Sequence, residues 1–278
     1  MPDRFPQHPD RISLPVLLSV TGAIYIVVLS VFSGRIYAGL RYRKLGWEDG
    51  CIMVAIVLAL AQWSLLATSL HHRPSRGYDH VPIKDRISAQ HLVFISGLFY
   101  PLVISFIKVS IASTLLRFKR TRLWNTFLWT VVTLQILSCI ASLVARLICY
   151  KPLASIWNSD RHPNTMCVRH NVLLVTLYVE AGIGAATDSI LTLALIPFLI
   201  ASHCSLKNKV GLSIVMAIGL FATAASIRRA TLVNSSIARA SSSHLNSFTL
   251  WTILEEQAGI LAFSIPSLAP LFSRTLPR

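Results

Sequence analysis

The sequence predicts an all-α membrane protein, a bundle of seven transmembrane helices. Hydrophobic residues fill 54% of its 278 positions and charged residues only 13%, where a soluble domain carries about a quarter charged. Mean hydropathy is +0.61. Seven apolar stretches are each long enough to cross a bilayer, which takes about 20 residues as helix. Helix is the required conformation, because hydrocarbon offers unpaired backbone amides no partner. The net charge of +15 raises nucleic acid as a partner, but most of the Lys and Arg residues sit in short gaps between apolar runs. Anionic lipid headgroups and the bias of basic loops toward the cytosol account for that placement. No nucleic acid is expected, since no basic domain stands outside those gaps.

The elements follow in order. Leu14–Phe32 is read as a retained first helix, being longer than the hydrophobic region of a signal peptide, about 7–15 residues. Cys51–Leu70 is the second. Leu92–Leu116 is the third and carries Pro101 and Lys108. Leu123–Ile148, the fourth, holds Arg146 near its end. Val172–Ile200, the fifth, has Thr176, Glu180, Gly184, Asp188 and Thr192 at every fourth position. That spacing lays a polar stripe along one helix face, and it cannot face lipid. Val210–Ile227, the sixth, includes "GLFATAAS" (219–226), small residues suited to close helix contact. Phe248–Phe272 is the seventh, with Trp251, Glu255 and Gly259 on one face and Glu256 turned away by about 100°. The expected organisation is a tail over 1–13, a membrane domain over 14–273 and a tail over 274–278.

The raw count of Lys and Arg on the two sides of the membrane is a tie. The short loop "RFKRTR" (117–122) breaks it, because short loops are where basic residues best mark the cytosolic side. Cys149 and Cys167 share the fourth gap and are compatible with a disulfide, which needs an oxidising compartment. The sequon at Asn234 lies on that same side and predicts glycosylation. The expected orientation is therefore amino terminus outside or lumenal, carboxyl terminus cytosolic. Cys51 and Cys139 read as small buried hydrophobes. No Cys/His spacing fits a metal site, and the adjacent His71 and His72 read as loop residues.

Within the seven runs lie Lys108, Arg146, Glu180, Asp188, Glu255 and Glu256. Each ionised group at mid-membrane costs about 2.5–3.5 kcal/mol on insertion scales, so such groups face the bundle interior and find partners. Glu180 and Glu255 lie in the outer halves of their runs, at depths where they can meet. Lys108 and Asp188 share the inner half and are expected to pair. Four acids face two bases, so at least one of Glu255 and Glu256 is expected to be protonated at neutral pH. Burial and a neighbouring acid both disfavour the charged form. Helix–helix glue is the competing reading, at about 0.6 kcal/mol per contact. The excess of acids favours a pocket formed by Lys108, Glu180, Asp188, Trp251, Glu255 and Glu256, with Glu255 as its catalytic or binding acid.

Five segments together resemble the fungal rhodopsin-domain family. "GRIYAGLRYRKLGWEDG" is similar to its Arg-x-Tyr…Gly-Trp-Asp-Asp pattern, with Glu48 replacing the first Asp. "FIKVSIASTLLRF" matches its Lys-x-Ser helix and following arginine, here Lys108, Ser110 and Arg117. "CYKPLASIW…C" (149–167) resembles its extracellular Cys/Pro/Trp/Cys loop, "TDSILTLALIP" its Asp…Pro helix, and "LWTILEEQAGILAFSIPSLAPLF" its closing Trp-x-x-x-Glu…Gly…Pro-x-Leu-x-Pro-Leu. By this resemblance Glu255 is the family glutamate and Glu256 an addition, while Ala269 stands where an arginine is common. The resemblance covers about residues 14–273 and implies a rhodopsin-like heptahelical fold.

It also implies two kinds of activity. Some members are Pth-type receptor-like proteins, and others, the satratoxin-cluster type, are encoded beside secondary-metabolite genes. Retinal is not expected as a cofactor, because span seven has no lysine to form the Schiff base. No other cofactor is implied. The preferred reading is a multi-pass protein of the plasma membrane or an endomembrane that serves mycotoxin-like secondary metabolism. It binds a hydrophobic small molecule, and isomerisation or cyclisation by a carboxylic acid is the form an activity would take. The alternatives are a receptor-like sensor, for which a G protein would be the partner, and a transporter. Seven spans without an internal repeat weigh against the last.

Overall fold

The computed structural model describes residues 14–42, 46–71, 83–118, 121–149, 170–195, 206–238 and 242–275. Seven helices make up these residues: α1 (Leu14–Tyr42), α2 (Trp47–His71), α3 (Ile83–Phe118), α4 (Arg122–Cys149), α5 (His170–Leu193), α6 (Leu206–Ala238) and α7 (Ser242–Thr275). No strand occurs among them. Six helices, α1 to α6, are long and apolar enough to cross a membrane by length and composition. The consecutive polar residues Glu255, Glu256 and Gln257 lower the apolarity of α7, which nonetheless packs inside the bundle against α6, α1 and α3. The protein is a multi-pass integral membrane protein.

The helices run in a circuit. α2 packs on α3, α3 on α4, α4 on α5, α5 on α6, α6 on α7 and α7 on α1, while α3 and α7 also touch through the middle. One apolar cluster joins α1, α2, α3 and α7 through Tyr25, Val28, Ile52, Ala59, Val103, Ile107, Ile253 and Phe263. A second joins α3, α4 and α5 through Ala112, Leu128, Val132 and Leu191. The outer surface is apolar too: Ile26, Leu40, Val57 and Trp129 are exposed, as lipid contact requires. Thr126, Thr130 and Thr133 face outward from α4, and each donates its hydroxyl to the carbonyl four residues back. A hydroxyl satisfied in this way can stand in hydrocarbon.

Pro101 sits inside α3, where its missing N–H interrupts the ladder. The carbonyl that this leaves without a donor is that of Gly97, four residues back, and it accepts from Arg146 Nη1 of α4. Close approach rests on two glycines. A Cβ at Gly259 would meet Ile107 of α3 at 2.8 Å, and one at Gly219 would collide with the Thr192 side chain of α5.

Two of the helices that extend past their apolar runs change the charge inventory. α1 continues beyond Phe32 and carries Arg35 into the bundle, while α6 continues beyond Ile227 and does the same for Arg229. The expected fifth run extends past the end of α5, and its residues 196–200 fall outside the described ones, as do Cys167 and His72. Cys149 closes α4, and its side chain lies outside the described ones as well.

Candidate functional site

The centre of the bundle is a chain of charges. On α3, Lys108 Nζ meets Asp188 Oδ1 of α5 at 3.1 Å. The same ammonium donates to Thr187 Oγ1 at 2.7 Å and to the Gly184 carbonyl at 2.9 Å. The four-residue spacing of the α5 stripe makes this possible, because it aims Gly184 and Asp188 at one neighbour. Further toward the start of α5, Glu180 Oε2 accepts from Arg146 Nη2 of α4 at 2.8 Å. Arg146 Nη1 also donates to the Gly97 carbonyl of α3. α6 supplies the link between these pairs. Ser226 Oγ donates to Glu255 Oε1 at 2.7 Å and lies 3.3 Å from Asp188 Oδ2.

Arg229 occupies the space between Glu255 and Glu180. Its Nε is 3.1 Å from Glu255 Oε2, and both side chains are fully buried. The contact is ionic rather than a well-aligned hydrogen bond, since neither atom forms one. The guanidinium stacks over the Tyr100 ring, 4.4 Å from its centroid, a favourable place for a cation. Arg229 also lies within electrostatic reach of Glu180. Glu180 and Glu255 are thus joined through Arg229 and not directly.

Glu256 faces the other half of the bundle. Adjacent helix positions diverge by about 100°, and this divergence turns Glu256 toward α2, where Gln62 Nε2 donates to its Oε1 at 2.9 Å. Tyr25 and Gln257 lie beside it. No ion pair involves Glu256 among the described residues. Its Oε2 and both polar atoms of the Gln257 side chain make no hydrogen bond. Nor do Glu255 Oε2, Arg229 Nη2 and Glu180 Oε1. Buried polar atoms are rarely left this way, and here they gather around α7.

The expected excess of four acids over two bases narrows to one acid. Arg229 is a third base, and Glu180, Asp188 and Glu255 each have a cation. Only Glu256 has none bonded to it. Trp251, one turn before Glu255, is partly buried and is not drawn into the network by any hydrogen bond or ring contact. Asn234 lies in the last turns of α6, with its side chain outside the described ones.

A second ionic cluster occupies the opposite end. Arg35 donates to Asp49 Oδ1 at 2.7 and 3.1 Å and to the Phe263 carbonyl at 2.7 Å, with its guanidinium 3.8 Å from the Phe263 ring centroid. Arg117 meets Glu48 at 2.7 Å, and Ser110 donates to the Glu48 carbonyl at 2.8 Å. The residues in this cluster are those of the Arg-x-Tyr, Glu-Asp and Lys-x-Ser…Arg segments. The fungal rhodopsin domain matches residues 34–274. The chain belongs to that family. No curated protein and no solved structure matches it. The match begins one residue before Arg35 and takes in every ion pair described above. Glu48, where the family pattern has Asp, still reaches Arg117.

Sequence reasoning passed over Arg35, Gln62, Tyr100, Ser226, Arg229 and Gln257 as site residues. Arg35 and Arg229 fall just past the ends of apolar runs, and the glutamines are uncharged. A usable signal did exist for Arg229: it lies three residues beyond Ser226 on α6, a spacing that puts both on one face.

Proposed function

We propose that this fungal rhodopsin-domain protein binds an apolar small molecule of secondary metabolism through polar groups at the centre of its bundle. The observation that carries the reading is the unused hydrogen-bonding capacity gathered there. Arg229 Nη2 and Glu256 Oε2 are buried without a hydrogen-bond partner, on either side of the Arg229–Glu255 pair. Structural glue does not account for them, because unpaired buried polar atoms destabilise a bundle. A molecule bearing a carbonyl or hydroxyl group would find both donors and acceptors on α6 and α7.

The two glutamates have different parts in this proposal. Glu255 is held by Arg229 and Ser226, so its role is to orient and to stabilise positive charge. Glu256 has no bonded cation, and a buried carboxyl without one is held most cheaply as the neutral acid. The proton donor for an isomerisation or cyclisation is therefore Glu256 rather than Glu255, with general acid catalysis as the mechanism. Retinal does not fit these residues. Lys108 Nζ is bonded to Asp188, Thr187 and Gly184, and α7 has no lysine.

The test is a metabolite profile, by mass spectrometry, of a deletion strain complemented with wild type, Glu255→Gln or Glu256→Gln. Accumulation of one late precursor, cleared by wild type but by neither variant, supports the proposal. A receptor-like sensor is the second reading, and the cluster at the opposite end favours it. Arg117 is 60% exposed in its pair with Glu48, and so exposed a contact is cheap to break and re-form. Loss of several pathways together with their transcripts would establish that reading and remove the catalytic one.

A further inference from the structure

Gln62 of α2 and Glu256 of α7 share one hydrogen bond, in which Gln62 Nε2 donates to Glu256 Oε1 at 2.9 Å. Each side chain ends in one more polar atom, and both of these are oxygens. Neither Gln62 Oε1 nor Glu256 Oε2 has a donor among the described residues, and both residues are more than nine-tenths buried. The groups around Glu256 are engaged elsewhere. Tyr25 of α1 donates its hydroxyl to the Ala59 carbonyl at 3.0 Å, and the Gln257 amide lies against Tyr25. Arg229 of α6 and Tyr100 of α3 are within electrostatic reach. The guanidinium is paired with Glu255 and stacked over the Tyr100 ring, and Glu255 accepts from Ser226.

We propose that Glu256 carries its proton on Oε2 and donates it to Gln62 Oε1, closing a two-bond acid–amide pair between α2 and α7. Gln62 is then the residue that positions the proton. The inference rests on the reading of Glu256 as the proton donor, and adds what holds that proton between turnovers. The argument is a count of hydrogens. Two oxygens share a hydrogen bond only when one of them bears a hydrogen, and an amide oxygen bears none. The carboxyl is the group of the two that can gain one. Exchanging the nitrogen and oxygen of Gln62 moves the shortage without removing it, because one nitrogen still faces two carboxyl oxygens. An ionised Glu256 leaves two buried acceptors unpaired, each at the full cost of its lost water. The neutral acid leaves none. The pair also orders the chemistry: the Oε2–H bond must turn away from Gln62 before it can reach a ligand. On transfer its electron pair stays on Oε2 and the proton goes to the ligand. The carboxylate so formed keeps its bond from Gln62 Nε2. An isomerisation returns the proton when the ligand loses one from another atom, and the pair closes again with nothing consumed. Arg229 Nη2 stands outside the pair and stays available to the ligand's oxygen.

The experiment is infrared spectroscopy of the full chain in nanodiscs, taken as difference spectra between wild type and variants. A protonated carboxyl group has a carbonyl band that a carboxylate lacks, and the band moves to lower frequency as the group's hydrogen bonds strengthen. Glu256→Gln puts an N–H where the O–H stood, so both bonds survive in that background. Wild type minus Glu256→Gln is expected to show one acid band. Gln62→Met keeps the length of the side chain without its polar atoms and should shift that band to higher frequency. Gln62→Asn, which withdraws the amide by one methylene, gives the same test in a second background. A structural role alone would change the unfolding midpoint but not the band. Carboxylate bands in place of the acid band would overturn the proposal, and that comparison leaves Gln62 untouched. An acid band unmoved by either Gln62 variant would overturn it equally, since Gln62 would not be the acceptor. The metabolite profile separates this inference from the reading it rests on. A band that moves with Gln62, with no precursor accumulating in the deletion strain, would keep the pair and remove the catalysis it serves. Precursor cleared by wild type, with carboxylate bands at Glu256, would remove the pair and leave the binding role standing.

Discussion

Arg229 and Glu256 make opposite predictions from the same depth in the bundle. Arg229 is fully buried against Glu255, and removing one partner of such a pair leaves an uncompensated charge, at a cost of about 3–5 kcal/mol. Arg229→Met should therefore lower the unfolding midpoint in detergent steeply, and adding Glu255→Leu should recover much of the loss. Glu256→Gln replaces a carboxyl that has no bonded cation with a neutral group of the same shape, and it keeps the oxygen that accepts from Gln62. Its midpoint should stay within about 2 °C of wild type, the shift expected of a change below 0.5 kcal/mol. A large loss in Glu256→Gln would mean that the group is ionised and needed as such. The Lys108–Asp188 pair was legible in the sequence because both residues interrupt strongly apolar runs at matching depth. Arg229 was not, because it follows Ile227 at the end of an apolar run and looks like a loop residue until the helix is seen to continue. Partner choice was the least legible feature. The spacing on α5 shows that Glu180 and Asp188 share a face, but not that Arg146 supplies the base for Glu180.

At the scale of the helices, small residues decide how closely α5 and α6 approach. A Cβ at Gly219 would occupy the position of the Thr192 hydroxyl, which donates to the Asp188 carbonyl at 2.7 Å. Gly219→Ala is therefore expected to separate α5 from α6 and to disturb the helix that presents Asp188 to Lys108. Overpacking of this kind costs about 1–3 kcal/mol. Gly211 lies on the same helix, with nothing within 4 Å of its Cβ position. Gly211→Ala should be neutral or stabilising by up to about 1 kcal/mol, from helix propensity alone. Unfolding midpoints of the two variants side by side check both signs, and equal midpoints would show that α6 shifts freely on α5. The presence of the seven helices was legible from hydropathy. Their lengths were not, because α1, α3 and α6 continue as helix into polar sequence where an apolar count stops. Hydropathy alone also undervalues α7: its polar triplet reads as unsuited to lipid, and the packing shows that those side chains face protein.

The whole molecule separates its charges into two populations. The five ion pairs among the described residues each join one acid to one base, so they add nothing to the net charge. The entire excess of +15 is therefore carried by residues outside those pairs. Basic residues near a bilayer surface gain about 1 kcal/mol each from anionic headgroups. In nanodiscs, replacing a zwitterionic lipid by a mixture rich in phosphatidylserine should raise the unfolding midpoint by about 2–4 °C for each kcal/mol gained. The gain should shrink as salt approaches 1 M, where the screening length falls to about 3 Å. The buried pairs give the internal control. They lie beyond the reach of salt, so the midpoint in zwitterionic lipid should hardly change over the same range. A midpoint indifferent to anionic lipid would mean that the basic residues stand away from the headgroups. A midpoint that falls with salt in zwitterionic lipid would instead mean that water reaches the central pairs, and that the bundle opens along α6 and α7 where their polar atoms lack partners.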